Sequence, residues 1–200
     1  GLGDVYKRQG ITTRDQDSVV QTLSVNTHTS LLFFSTEGLV YKIKAWKIPE
    51  GSSSSRGKTL FNILPLKNHQ SISSIMPYPD NEADIKNMHI VFATSKGKIR
   101  KNSLDDFKKI QANGKIAMKL KNGNSIVGVK LCTDEDDILL STNKGKCIRT
   151  PVSKLRTTKS RSSMGVRGIK LLKDDHIISV SILSHIDVTS AEAKAYLKLV

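Results

Sequence analysis

The segment from Ile90 to Lys101 reads IVFATSKGKIRK, and its pattern is the basic unit of the chain. Two other stretches repeat its pattern, Leu32 to Lys42 (LFFSTEGLVYK) and Ile138 to Arg149 (ILLSTNKGKCIR). Each has an apolar run, a polar corner and a glycine, with an apolar residue two positions after the glycine and a base four positions after it. Apolar and β-branched runs suit buried strands, and glycine supplies the positive φ of a tight turn. Each stretch therefore predicts a β-hairpin.

The hairpins recur at intervals of roughly 50 residues, which is typical of propellers and other repeat architectures. A second motif also recurs, in which a glycine is followed six or seven residues later by a leucine. Its members are Gly57 with Leu64, Gly114 with Leu120, and Gly165 with Leu171. Strand, hairpin and glycine segment together make four strands per unit, as in a propeller blade. We predict an all-β, propeller-like pinwheel of about three to four blades.

The repeats predict how the chain is divided. Residues 1–10 do not match the repeat pattern and are interpreted as a non-native leader or linker, and residues 11–200 form the repeat domain. The predicted blades are 17–70, 71–124 and 125–175, with an incomplete blade at 176–200.

Five local expectations accompany this division. Asp17 to Val25 and Thr59 to Leu66 read as strands, because both are rich in apolar and β-branched residues. Pro77 to Asn87 reads as a polar loop, whereas Ser190 to Val200 has helix-forming residues. Cys132 and Cys147 lie inside predicted strands without metal-type spacing, so both are expected to be buried, reduced thiols.

The charge of the chain predicts a polyanionic partner. Its 200 residues carry a formal net charge of +14, with a pI near 9.8. The segment from Ser141 to Lys170 holds nine lysines and arginines and no acidic residue. Such a balance favours polyanion binding, nucleic acid first and acidic membrane second, with simple solubility as the alternative. No apolar run approaches the ~20 residues of a membrane span.

Catalytic and metal-binding patterns are not found in the sequence. The five histidines are scattered, and the acidic run from Asp134 to Asp137 reads as a solvated turn between strands. There is no phosphate-binding loop, dinucleotide fingerprint or nucleophile elbow. We therefore expect no catalytic residue and no metal site in this chain.

The basic residues, in contrast, recur at equivalent places in the units. In a circular array such positions fall on one rim, and a basic rim follows a phosphate backbone without reading bases. Aromatic residues for stacking single strands are few, which favours duplex DNA. Two alternatives remain: a solvated basic edge that prevents strand pairing between molecules, and a β-repeat scaffold that binds a protein or acidic partner. The predicted DNA-binding residues are Lys42, Lys44, Arg56, Lys58, Lys98, Arg100, Lys101, Lys115, Lys146, Arg149, Arg156, Lys159, Arg161 and Arg167.

Several of these motifs resemble a known family. Ser54 to Leu66 (SSRGKTLFNILPL), Asn113 to Leu120 (NGKIAMKL) and Gly165 to Leu171 (GVRGIKL) are similar to the C-terminal domain found in the A subunit of bacterial DNA gyrase, a type IIA topoisomerase. The corresponding domain of topoisomerase IV is a close relative and the alternative. The family's Gln-Arg-Arg-Gly-Gly-Lys-Gly box is absent from this sequence.

The resemblance implies a fold and a function. The fold would be a β-pinwheel whose neighbouring blades exchange strands. The function would be sequence-tolerant wrapping of duplex DNA, which supports ATP-dependent negative supercoiling by a cytoplasmic holoenzyme of two A and two B subunits. The cleavage residues would lie outside this chain, and ATP and Mg²⁺ would be held elsewhere in the holoenzyme, so that this chain itself needs no cofactor.

Overall fold

The computed structural model describes residues 20–52, 55, 57–67, 70–111, 113–160 and 163–198. Their architecture is three antiparallel β-sheets with two short α-helices. The strands are β1 (Ser30–Ser35), β2 (Leu39–Lys44), β3 (Ile72–Tyr78), β4 (His89–Thr94), β5 (Lys98–Ser103), β6 (Lys115–Ile116), β7 (Ile126–Cys132), β8 (Asp136–Thr142), β9 (Cys147–Pro151), β10 (Val166–Arg167) and β11 (Ile177–Ser184). The helices are α1 (Glu82–Asn87) and α2 (Ser190–Leu197). The predicted all-β pinwheel is confirmed.

Each sheet is built around one of the predicted hairpins. The strand orders are β3-β1-β2-β6, β7-β4-β5-β10 and β11-β8-β9. In each sheet the first hairpin strand pairs with the next long strand of the chain, which is β3, β7 or β11. In two sheets the second hairpin strand also pairs with a short strand from farther along the chain, β6 or β10. Strand β6 reaches the first sheet from beyond the whole β4–β5 hairpin. The sheets therefore cross the unit boundaries drawn from the sequence.

The hairpin turns share one local design. Their glycines have positive φ: Gly38 at 89°, Gly97 at 78° and Gly145 at 74°. The residue after each glycine donates its N–H, over 3.1–3.2 Å, to a hydroxyl four residues earlier in the chain. Those hydroxyls belong to Ser35, Thr94 and Thr142, and all three residues are buried. Glycine and hydroxyl together fix the turn, because one supplies the left-handed backbone and the other satisfies an inner N–H.

The returning glycine segments dock on these turns. The Gly38 carbonyl accepts hydrogen bonds from the N–H groups of Ala117 at 2.8 Å and Met118 at 3.0 Å. The Gly97 carbonyl accepts from Gly168 at 2.8 Å and Ile169 at 3.3 Å. Within the described residues nothing lies within 4 Å of a side chain built at Gly145, and β9 pairs only with β8.

The core lies between the faces of the stacked sheets. Alternate residues of β4 serve two different layers: Ile90 and Phe92 pack toward the first sheet, and Val91 and Ala93 toward the third. The rings of Phe34, Phe92 and Phe107 have centroids 5.6–6.0 Å apart in the first of these layers. The unbroken apolar runs of the hairpins follow from this stacking, because a strand covered on both faces has no solvent side.

Three local expectations are wrong. Residues 20–25 form no strand, and Thr59 to Leu66 contains a 3-10 helix at Leu60–Asn62. In that segment Leu64 is buried by a bend of the chain rather than by pairing, against the outer face of the first sheet. The expected loop after Pro77 contains α1, which begins where the Asn81 side chain accepts the N–H of Ala83 at 3.0 Å. The first part of the predicted opening strand and the leader at residues 1–10 lie outside the described residues.

The two cysteines differ, which corrects the expectation that both are buried. Both are free thiols, but Cys132 is buried and Cys147 is exposed on the open edge of β9. Burial raises the pKa of the Cys132 thiol to about 12, and the negative charge of Asp136 adds to the effect. Thiolate formation at Cys132 is therefore suppressed twice, by inaccessibility and by pKa.

We expect a maleimide at neutral pH to modify Cys147 in the folded protein and to leave Cys132 unmodified until the chain unfolds. Peptide mass spectrometry after timed labelling measures both rates in one sample. A Cys147→Ser variant should lose native-state labelling altogether. Native-state labelling of Cys132 at a comparable rate would contradict the described packing of β7.

The docking of the glycine segments predicts different costs for two chemically identical substitutions. Gly145→Ala should cost about 1–2 kcal/mol, since only the positive φ opposes it. Gly38→Ala has the same backbone penalty, and its new Cβ would also overlap the Met118 carbonyl oxygen, which adds ~1–3 kcal/mol. Urea unfolding of the two variants measures the difference, and equal losses of stability would show that the Gly38 turn is not covered.

Candidate nucleic-acid interface

The base four residues after each turn glycine is not free in any of the three units. Lys42 donates from Nζ to the Lys108 carbonyl at 2.9 Å and lies 3.7 Å above the Tyr78 ring. Lys101 and Arg149, the equivalent residues of the next two units, form ion pairs with aspartates. In the first two units the recurring base therefore contacts residues of the next predicted unit, whereas Arg149 pairs with an aspartate of its own unit.

The two ion pairs differ in exposure. Lys101 is only 3% exposed, and its Nζ lies 2.8 Å from Asp134 Oδ1. Arg149 is half-exposed, and its Nε lies 3.3 Å from Asp137 Oδ2, a carboxylate that is itself 1% exposed. The Lys101 ammonium holds the pKa of Asp134 below its usual range, chiefly through their hydrogen bond.

Arg100 is also buried, so the expectation that Arg100 and Lys101 lie on an exposed rim is wrong. The Arg100 guanidinium stacks 4.8 Å from the centroid of the Phe92 ring. It donates to Asn102 Oδ1 at 2.7 Å, to the Ser163 carbonyl at 2.7 Å and to the carbonyl of Ala117. Both faces of β5 are covered at these two positions, so Arg100 and Lys101 cannot reach a ligand.

The other predicted residues reach the surface to different extents. Lys42 and Lys98 are partly buried, whereas Arg56 and Arg161 lie outside the described residues. Eight are exposed: Lys44, Lys58, Lys115, Lys146, Arg149, Arg156, Lys159 and Arg167.

Six lysines line a single concavity of about 770 Å³ between β2 and the segment that follows β5. They are Lys42, Lys44, Lys47, Lys108, Lys109 and Lys115. Three of them are among the residues predicted from the sequence, whereas Lys47, Lys108 and Lys109 were missed. These three lie in the connectors that follow the second strands of two hairpins, and that shared position was the available signal. This concavity is called the lysine concavity below.

The lysine concavity is poorly neutralised by acidic residues. Lys108 forms an ion pair with Glu82 at 2.7 Å, and Lys44 donates to the His28 carbonyl at 2.8 Å. Burial lowers the pKa of Lys42, and the nearby charges of Lys44 and Lys108 lower it further, against the opposing charge of Asp80. An anion bound between these ammonium groups would relieve their repulsion.

A second concentration of positive charge lies on the second sheet. Lys98 of β5 and Arg167 of β10 are directly opposite each other in the strand register. Like charges in such a pair destabilise a sheet, so the arrangement favours an anionic ligand at this edge. In the first sheet the equivalent register places Leu39 opposite Ile116, one position from Lys115.

The described residues contain no cluster of three or more histidine, cysteine, aspartate or glutamate side chains that could hold a metal ion. The acidic run after β7 is a turn in which Asp136 Oδ2 accepts the N–H of Thr133 at 2.6 Å. In the part of the chain that is described, neither helix has the length and apolar character to cross a membrane.

His185 lies between two carboxylates at the end of the third sheet. Its Nδ1 is 2.8 Å from Asp137 Oδ1 and its Nε2 is 2.9 Å from Asp187 Oδ1. The hydrogen bonds to Asp187 and then to Asp137 raise the pKa of His185. Because Asp137 of β8 also pairs with Arg149 of β9, this network connects β8, β9 and the residue that follows β11.

We expect the His185 pKa, measured by NMR titration of the imidazole, to lie above 6.5, the ordinary histidine value. A raised folded-state pKa stabilises the protein below the unfolded-state pKa, and this contribution is lost as the pH rises through the folded value. Asp187→Asn should lower the His185 pKa, whereas Asp174→Asn, in a separate exposed turn, should not change it. An unshifted titration in the unmodified protein would contradict the network.

Comparisons with known proteins agree with this architecture. The family model of the DNA gyrase C-terminal domain, a beta-propeller, matches residues 29–79, 89–133 and 136–184. The A subunit of DNA gyrase from Rickettsia bellii is 46% identical over 192 residues, which cover 96% of this chain and 21% of that protein. That of Granulibacter bethesdensis is 40% identical over 193 residues, or 96% of this chain and 20% of that protein. The chain thus spans about a fifth of the length of these curated relatives.

Two solved structures share the fold. The C-terminal domain of DNA topoisomerase IV has a TM-score of 0.78 at 23% identity, covering 91% of this chain and 55% of that one. The DNA gyrase A C-terminal domain has a TM-score of 0.64 at 23% identity, covering 88% of this chain and 58% of that one. The family match extends over most of the chain and over all three sheets, and the named relatives are gyrase subunits. The chain belongs to the DNA gyrase C-terminal domain family, with its β-propeller fold.

Proposed function

We propose that this chain binds the backbone of duplex DNA and helps to wrap it, independently of base sequence. The observation that carries the proposal is the lysine concavity, where six ammonium groups surround an open volume of about 770 Å³ and only Lys108 is ion-paired among the described lysines there. Phosphate contacts by lysines supply sequence-independent affinity, because each contact releases condensed counterions.

The Lys98–Arg167 pair supports a path for the duplex beyond the lysine concavity. It lies on the second sheet, at a place in the repeat equivalent to that of β6 in the first. Repeated basic edges on successive blades would hold successive turns of the backbone, and bending DNA is favoured when the bend permits additional contacts.

In the whole protein, this binding would serve a gyrase. The domain would present DNA within a cytoplasmic assembly of two A and two B subunits that supercoils DNA negatively. ATP and Mg²⁺ would act in other parts of that assembly, with DNA cleavage also outside this chain. The curated relatives are gyrase subunits, which favours this proposal over a role in topoisomerase IV.

The proposal is tested by measuring affinity for a random-sequence duplex of roughly 40 base pairs as a function of salt, with an expected slope of about −0.9 in log K against log salt per phosphate contact. The triple variant Lys44→Gln, Lys47→Gln, Lys109→Gln should make the slope shallower by up to about 3. Unrelated duplexes should lose affinity equally.

The matched control removes the same charge elsewhere, through Lys121→Gln, Lys130→Gln and Lys173→Gln, all at exposed positions outside the lysine concavity. This control variant should retain nearly the whole slope of log K against log salt. Equal effects of the two triples would indicate general charge attraction instead of a site. A flat slope in the unmodified protein would favour the alternative of a β scaffold for a protein partner.

A further inference from the structure

Three consecutive polar residues of β5 are buried, and all three form hydrogen bonds with one segment farther along the chain. Arg100 is 2% exposed, Lys101 3% and Asn102 0%. Such residues are rarely buried unless their polar groups are all engaged. Here much of that engagement is with the connector at residues 152–163, some fifty to sixty residues farther along the chain.

The contacts form a seam along the described part of the connector, which is residues 152–160 and Ser163. Lys101 Nζ donates to the Val152 carbonyl at 3.1 Å, and the Lys101 carbonyl accepts the N–H of Thr158 at 2.8 Å. Asn102 Nδ2 donates to the Thr158 carbonyl at 2.5 Å, and Arg100 Nη1 donates to the Ser163 carbonyl at 2.7 Å. Thr157 additionally forms a parallel bridge with Lys101.

The side chains that form the seam are themselves held in place. Arg100 Nε donates to Asn102 Oδ1 at 2.7 Å, and Asn102 Nδ2 also contacts Asp106 Oδ2 at 3.1 Å. Lys101 is fixed by Asp134 at 2.8 Å. The second sheet therefore fixes the side chains of the seam, and these side chains in turn hold the connector in place.

The connector carries exposed bases on its other side. Lys154, Arg156 and Lys159 are exposed, whereas Val152 is buried and anchors the start of the segment. These three bases lie at the end of a short 3-10 helix at Val152–Lys154 and on the irregular backbone after it. Val152 and Leu155 pack against the core, and the seam holds the residues that follow them.

We propose that Arg100, Lys101 and Asn102 are positioning residues, which hold the connector so that Lys154, Arg156 and Lys159 form a fixed set of phosphate contacts. The inference rests on the proposed function, since the ligand is the same DNA backbone. The physical reason is preorganisation: bases held in place before binding add affinity without the cost of ordering their backbone on the duplex. Buried bases thus act on DNA through exposed ones.

The test uses the connector side of the seam, because Arg100→Met or Asn102→Ala could unfold the sheet. Thr158→Pro removes the N–H that bonds the Lys101 carbonyl, and Thr158→Ala keeps that N–H and serves as the matched control. Losing one such bond should speed tryptic cleavage after Lys154, Arg156 or Lys159 about threefold to tenfold, while Thr158→Ala is cleaved like the unmodified protein. Unchanged native protection of the Cys132 thiol verifies that the sheet is intact.

DNA binding supplies the second readout. Thr158→Pro should make the salt slope on the random duplex shallower by about 1–2, as should the charge variant Arg156→Gln, Lys159→Gln. Combining Thr158→Pro with that charge variant should add little further loss, because both remove the same contacts.

The outcomes separate the two proposals. Absent or salt-independent binding by the unmodified protein overturns the proposed function, and the positioning of phosphate contacts falls with it. Salt-dependent binding that Thr158→Pro leaves unchanged overturns the positioning role alone, as does full additivity of the combined variant. Tryptic cleavage of Thr158→Pro at the unmodified rate would show that the seam does not hold the connector.

Discussion

The hydrogen bond on which the architecture depends is the one accepted by the carbonyl of a hairpin-turn glycine. At Gly38 and Gly97 that carbonyl receives two N–H groups from a segment some seventy to eighty residues farther along the chain. The positive φ of the glycine turns the carbonyl outward, and the absence of a side chain lets the segment approach. Each such contact adds a fourth strand to a sheet and fastens one part of the repeat to another. The stacked apolar layers between the sheets then supply most of the stability.

The same construction decides which bases reach the surface. Arg100 and Lys101 are buried because connecting segments at residues 117, 134, 152 and 163 engage them. Arg149, the equivalent of Lys101 in the third sheet, is half-exposed. Lys115 is brought into the lysine concavity by the docking of β6 beside β2. Strand exchange therefore helps to determine which bases are exposed. A base at one position of the repeat is buried in one unit and exposed to solvent in another.

The sequence was sufficient for features encoded locally. All three hairpins and their glycine turns follow from patterns within twelve residues, and the repeat order follows from the recurrence of those patterns along the chain. The resemblance identified the family. The burial of Arg100 was not predictable, since its alternation along β5 does not show that residues 117 and 163 will cover it. Thr59 to Leu66 has strand composition but becomes a bend that buries Leu64. Lys108 and Lys109 were missed because the lysine concavity joins connectors about sixty residues apart, a distance that no local pattern spans.

The fold gathers lysines from separate units into one concavity, which we propose as a DNA-binding surface. Lysine acetylation footprinting, with mass spectrometry in the presence and absence of a random duplex, tests this proposal. We expect DNA to protect Lys44, Lys47, Lys109 and Lys115 together, while Lys121, Lys130 and Lys173 react at unchanged rates. Uniform protection of all exposed lysines, or protection confined to the second group, would contradict it.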